Sequence, residues 1–90
     1  MSASNAEDAT TLIRRSLERG LGLLEMKKRL TEEEIKEFEQ QHGMDSIEFI
    51  KRFEAGKFGD SQDSFEWWGL LRGLGTIEKE IRKARGVLSS

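Results

Sequence analysis

Apolar residues recur in this chain at the spacing of helices that pack against helices. From Leu17 the positions Leu21, Leu24, Lys28, Thr31, Ile35, Phe38 and His42 follow at alternating intervals of four and three, keeping one seam toward a neighbouring helix. Its middle, Lys28 and Thr31, is polar. A second seam runs through Trp67, Leu70, Leu74, Ile77, Ile81, Ala84 and Leu88 without a polar interruption. Between them Ile47, Phe49, Ile50 and Phe53 mark a short amphipathic helix.

The punctuation agrees with three helices. The first is expected over about residues 7–42, with residues 1–6 disordered, and Gly43 is its natural stop because glycine takes the left-handed conformation just past a helix end. Thr31-Glu-Glu-Glu34 has the form of a capping box, which would start a fresh helix there. Nothing in Met26-Lys-Lys-Arg-Leu30 resembles a turn, however, so one long helix is favoured. Asp45 caps the short helix, residues 45–55, which ends at Ala55-Gly56. Lys57-Phe-Gly-Asp-Ser61 reads as a turn, and Asp60 or Ser61 caps a third helix over residues 61–88. The expected fold class is all-α: a long helical hairpin with a short middle helix, coiled-coil-like in its packing and dimeric.

Composition narrows the chemistry. Ninety residues make one domain with a modest core, which favours self-association. There is no proline to break a long helix and no cysteine for a disulfide, a thiol nucleophile or a thiolate metal site. The opening residues lack an export signal and no stretch approaches bilayer length, so a cytoplasmic protein away from membranes is expected. The single histidine has no visible nucleophile beside it, the glycines form no phosphate loop, and no HExxH or calcium-loop spacing occurs. An enzyme, a cofactor and a metal site are therefore not expected. The end of the chain is basic, through Arg72, Lys79, Arg82, Lys83 and Arg85, but without aromatic interleaving it gives little support for nucleic-acid binding.

Four acid-to-base pairs, Glu25 with Arg29, Glu32 with Lys36, Glu48 with Arg52 and Glu78 with Arg82, lie four residues apart and fit helix support. More informative is the crowding of Phe65, Trp67, Trp68, Leu70 and Leu71. Trp67 belongs to the seam, whereas Trp68 points about 100° away with Leu71. That second apolar face is covered either by the short helix or by another chain. Gly69 and Gly73, four apart, fit either a tight helix crossing that offsets their cost in helix stability, which is favoured, or simple tolerance in a marginal helix. Asp60, Asp63 and Glu66 form an acidic edge beside the tryptophans, suited either to helix capping or to a basic pocket on a partner.

One string within the chain is distinctive. Phe38-Glu39, His42-Gly43-Met44, Ser46, Phe49, Phe53-Glu54, Gly56, Gly59-Asp60, Asp63 and Phe65-Glu66-Trp67 together resemble a family of short prokaryotic proteins encoded beside small toxin genes and regarded as antitoxins. The likeness covers roughly residues 35–75. It implies that the chain binds and neutralises a protein toxin encoded nearby, with Phe65, Trp67, Trp68 and Leu71 as anchors. Asp60, Asp63 and Glu66 would counter basic residues of the toxin. The usual antitoxin layout, a DNA-binding domain ahead of a disordered tail, is not visible. The alternatives are a homo-oligomeric coiled-coil adaptor and a nucleic-acid-binding factor.

Overall fold

The computed structural model describes residues 2–59 and 61–90, with side chains from Asp8 onward. Three helices follow one another: α1 (Ser2–His42), α2 (Ser46–Glu54) and α3 (Gln62–Ser89). The long helices α1 and α3 pack side by side as an antiparallel hairpin, and α2 closes the end where they are joined. The molecule measures 65 × 20 × 19 Å.

Both seams face inward. Ile35 on α1 and Trp67, Ile77 and Ile81 on α3 are buried, and the other seam residues of either helix are half-buried. The polar middle is accommodated at the edge of the interface, where Lys28 Nζ reaches Glu78 Oε2 at 3.8 Å. Glu25 likewise crosses to Arg85 at 3.2 Å. Of the four expected pairs within helices only Glu48 with Arg52 forms, at 3.0 Å. Glu25 and Glu78 instead lie close enough to the facing helix to bridge it, so their charges tie α1 to α3.

α1 is continuous through Thr31, whose hydroxyl donates to the Lys27 carbonyl at 2.8 Å rather than capping a new helix. It also begins at Ser2, ahead of the expected start at Glu7 and through most of the segment expected to be disordered. Ala3, Ala6 and Ala9 offer no break, and once a helix exists each added residue gains a backbone bond.

The elbow is built from two helix ends of one kind. Gly43 (φ 63) follows α1 and the Met44 amide donates back to the Glu39 carbonyl at 3.2 Å. Gly56 (φ 71) follows α2, where the Lys57 amide donates to the Arg52 carbonyl at 2.8 Å. These bonds satisfy carbonyls that a helix end leaves without partners. Asp45 caps α2 through Glu48 N at 2.8 Å. Ser61 caps α3 through Ser64 N at 3.2 Å.

Candidate functional site

The end of the hairpin is an aromatic cluster centred on Trp67. Its indole is fully enclosed and stacks on Phe49 with ring centroids 3.9 Å apart and planes 3° from parallel. Phe38 and His42 stack on it at 5.9 and 5.4 Å, and Phe58 meets it edge-on at 6.1 Å. The one polar atom of the indole, Nε1, donates to Ser46 Oγ at 3.1 Å. Ser46 in turn directs both its hydroxyl and its amide to Glu39 Oε2, each at 2.8 Å. A chain of three side chains thus links α3, the start of α2 and the end of α1. Ser46 Oγ both accepts and donates, so the buried N–H is satisfied without bringing a charge inside.

This arrangement corrects one sequence expectation. Trp67 is no surface anchor, because its seam position turns it into the space between α1 and α2. It accounts as well for most of the string that carries the antitoxin resemblance. Phe38, His42, Phe49 and Trp67 form the stack, Glu39 and Ser46 form the relay, and Gly43, Gly56 and Gly59 (φ 99) take positive φ. Those residues are used in making the elbow.

What remains outside is a ledge along α2 and the first turns of α3. Trp68 is half-buried, lies 5.9 Å from Phe53 and carries the Arg72 guanidinium over its ring at 4.8 Å. Phe65, 54% exposed, meets Phe53 edge-on at 5.7 Å. Ile50, Glu54, Trp68, Leu71 and Arg72 line a shallow cleft of about 280 Å³. The short helix therefore covers the second face of α3 only in part, and an apolar strip with one acid and one base at its margin stays open. Ile50, Phe53 and Glu54 are not site residues on the sequence reading, and Arg72 enters it only with the basic end of the chain. The signal was present in the spacing of Ile47, Ile50 and Glu54, which falls on one side of α2.

The acidic edge is not on this ledge. Asp63 is reached by Gln41 Nε2 of α1 at 3.5 Å, and Glu66 accepts from Gln62 Nε2 at 3.0 Å. Glu66 lines a different groove, of about 410 Å³, between α1 and α3. At about 100° per residue Trp68 points about 160° away from Glu66 and about 140° away from Asp63, so both acids stand on the other side of α3. Asp60 lies outside the described residues. The glycine expectation is also overturned: a Cβ on Gly69 or Gly73 would meet nothing within 4 Å. These glycines line the same groove rather than a tight crossing.

Among the described residues no cluster of acids and histidine is arranged to hold a metal ion, and no helix is long and apolar enough to cross a membrane. The basic residues of α3 are partly engaged, Arg72 on Trp68 and Arg85 with Glu25. Comparison of the chain with protein-family models, with curated proteins and with solved structures finds no match.

Proposed function

We propose that the chain is a non-catalytic protein-binding module that grips its partner through the ledge of Phe65, Trp68 and Leu71. The partner is a protein toxin encoded nearby, which the chain neutralises in the cytoplasm of a prokaryotic cell. The observation that carries the binding reading is Trp68, held in place by Phe53 and Arg72 yet left half-open beside an exposed Phe65. Aromatic and arginine side chains packed on a rigid support are the groups that most often dominate binding energy at protein interfaces. The toxin as occupant rests on the resemblance of residues 35–75 to antitoxins.

Co-expression with the neighbouring open reading frame tests it. The expected result is a complex that co-purifies and growth that recovers from the neighbour's toxicity, both lost on changing Trp68 and Leu71 to alanine. No complex and no relief of toxicity would remove the antitoxin role. A steeply salt-dependent affinity for DNA or RNA would point instead to the basic residues of α3.

A further inference from the structure

A second apolar stripe runs along α1 on the side away from α3. Leu23 is 60% exposed, Met26 49% and Leu30 53%, and Leu12 continues the stripe toward the N-terminus. The intervals of three and four between Leu23, Met26 and Leu30 repeat a packing seam, yet these side chains stand about half or more exposed, on the side of α1 opposite its seam. A lone exposed leucine needs no explanation, but a helical stripe of them does.

The charges along the stripe are self-complementary about one point. Arg19 and Glu33 each lie seven residues from Met26, and Arg15 and Glu37 each lie eleven residues from it. All four are exposed, and none has an ion-pair or hydrogen-bond partner among the described residues. At about 100° per residue all four fall within about 20° of the direction of Met26 around the helix. A helix laid antiparallel across Met26 sets Arg15 against Glu37 and Arg19 against Glu33, twice over by symmetry. A parallel helix sets like charges against each other.

Surface area points the same way. The chain exposes 6864 Å², whereas a folded monomer of this mass exposes about 5,400 Å². The radius of gyration is 19.0 Å, against about 12 Å for a globular chain of this length. A stable pair of standard size removes about 800 Å² from each partner, about half of that excess. Leu30 also stands one turn from Lys27 and Glu34, which wall the groove over Gly69 and Gly73. The stripe therefore opens into a depression that can receive side chains from across the interface.

We propose that the stripe is occupied by a second copy of this chain, packed antiparallel along α1 with the two-fold axis at Met26. The apolar residues supply the affinity and the four charges select the orientation, since exposed ion pairs add little energy but like-charge contacts are disfavoured. The symmetry is isologous, each chain offering the same stripe. This surface is separate from the Trp68 ledge, so the dimer stands or falls independently of the toxin.

Sedimentation velocity on the full chain, from about 1 to about 200 µM, tests it across the affinities expected of such an interface. The wild type is expected to move from monomer to dimer. Leu23→Glu with Leu30→Glu should weaken the dimer at least about a hundredfold, with far-UV circular dichroism showing the helices retained. Arg15→Glu with Arg19→Glu, and separately Glu33→Arg with Glu37→Arg, should each impair self-association, and mixing the two variants should restore a dimer. Orientation is read from cysteines: Leu12→Cys mixed with Gln40→Cys should cross-link, and Leu12→Cys alone should not. A wild type that stays monomeric at every concentration, a dimer indifferent to Leu23→Glu with Leu30→Glu, or cross-linking of Leu12→Cys to itself overturns the proposal.

Discussion

Ser46→Ala is the sharpest test of what holds the elbow together. The substitution deletes one oxygen and leaves in place the bond from the Ser46 amide to the Glu39 carboxylate oxygen Oε2. Two interactions go: the Trp67 Nε1 donor at 3.1 Å loses its acceptor, and Glu39 loses a 2.8 Å hydroxyl donor. Glu39 is only half-buried and can turn to water, so its loss is modest. Trp67 has no exposure at all, and its N–H is left without a partner, at a cost of about 1–3 kcal/mol. Together the loss should be about 2–3 kcal/mol, lowering Tm by roughly 10–20 °C for a domain of this size. Urea unfolding followed by circular dichroism, at one protein concentration, should show a lower midpoint with the slope unchanged. Trp67→Phe supplies the second edge of a double-mutant cycle, since phenylalanine has no N–H to satisfy. Its penalty should be about 1–2 kcal/mol smaller when Ser46 is already alanine. A Ser46→Ala loss under about 0.5 kcal/mol, or a Trp67→Phe penalty equal in both backgrounds, would mean that the relay contributes nothing and that stacking alone holds the elbow.

Four further outcomes follow from the same geometry. Gly69→Ala and Gly73→Ala should each raise stability by about 0.5–1 kcal/mol, because the helix gains and nothing lies within 4 Å of the added methyl; a loss in thermal melts would restore the close-crossing interpretation. Gly43→Ala should lower stability by about 1 kcal/mol or more, because φ is 63 there, and Gly43→Asn should recover part of it; equal melting of the two variants would contradict this. His42→Phe should keep or raise stability by up to about 1 kcal/mol in urea titrations, since it removes a buried Nε2 that has no partner while keeping a ring against Trp67; a clear loss would reveal a bond to that nitrogen. Trp68→Ala with Leu71→Ala should abolish co-purification of the partner while lowering Tm less than Trp67→Ala, whose truncation costs about 3–5 kcal/mol; the reverse order would place Trp68 in the core.

Helix content, the two seams and the stops were legible in the residues, because periodicity, capping and glycine conformation act over a few positions. That the seam of Leu17 through His42 faces that of Trp67 through Leu88 needed only the rule that apolar stripes bury against one another. Capping at Asp45 and Ser61 and the breaks at Gly43 and Gly56 needed only helix-end chemistry. The continuity of α1 at Thr31 was likewise decided by the absence of any turn residue before it.

Tertiary structure decided everything that depends on which element arrives beside a residue. The seam set Trp67 apart from Trp68 but not how far either is covered: α2 and Phe49 enclose Trp67, while Phe53 and Arg72 only brace Trp68. Glu25 and Glu78 had partners one turn away on their own helices and took cross-helix ones instead, because antiparallel packing brought Arg85 and Lys28 within reach. Gly69 and Gly73 suggested a close crossing, but the separation of α1 from α3 is set by the large side chains of the seam, and it leaves a groove where contact was expected. Local patterns record what a segment tends to form and which side it would bury. Which apolar faces stay uncovered is a property of the folded surface, and in this chain those uncovered faces carry the binding proposals.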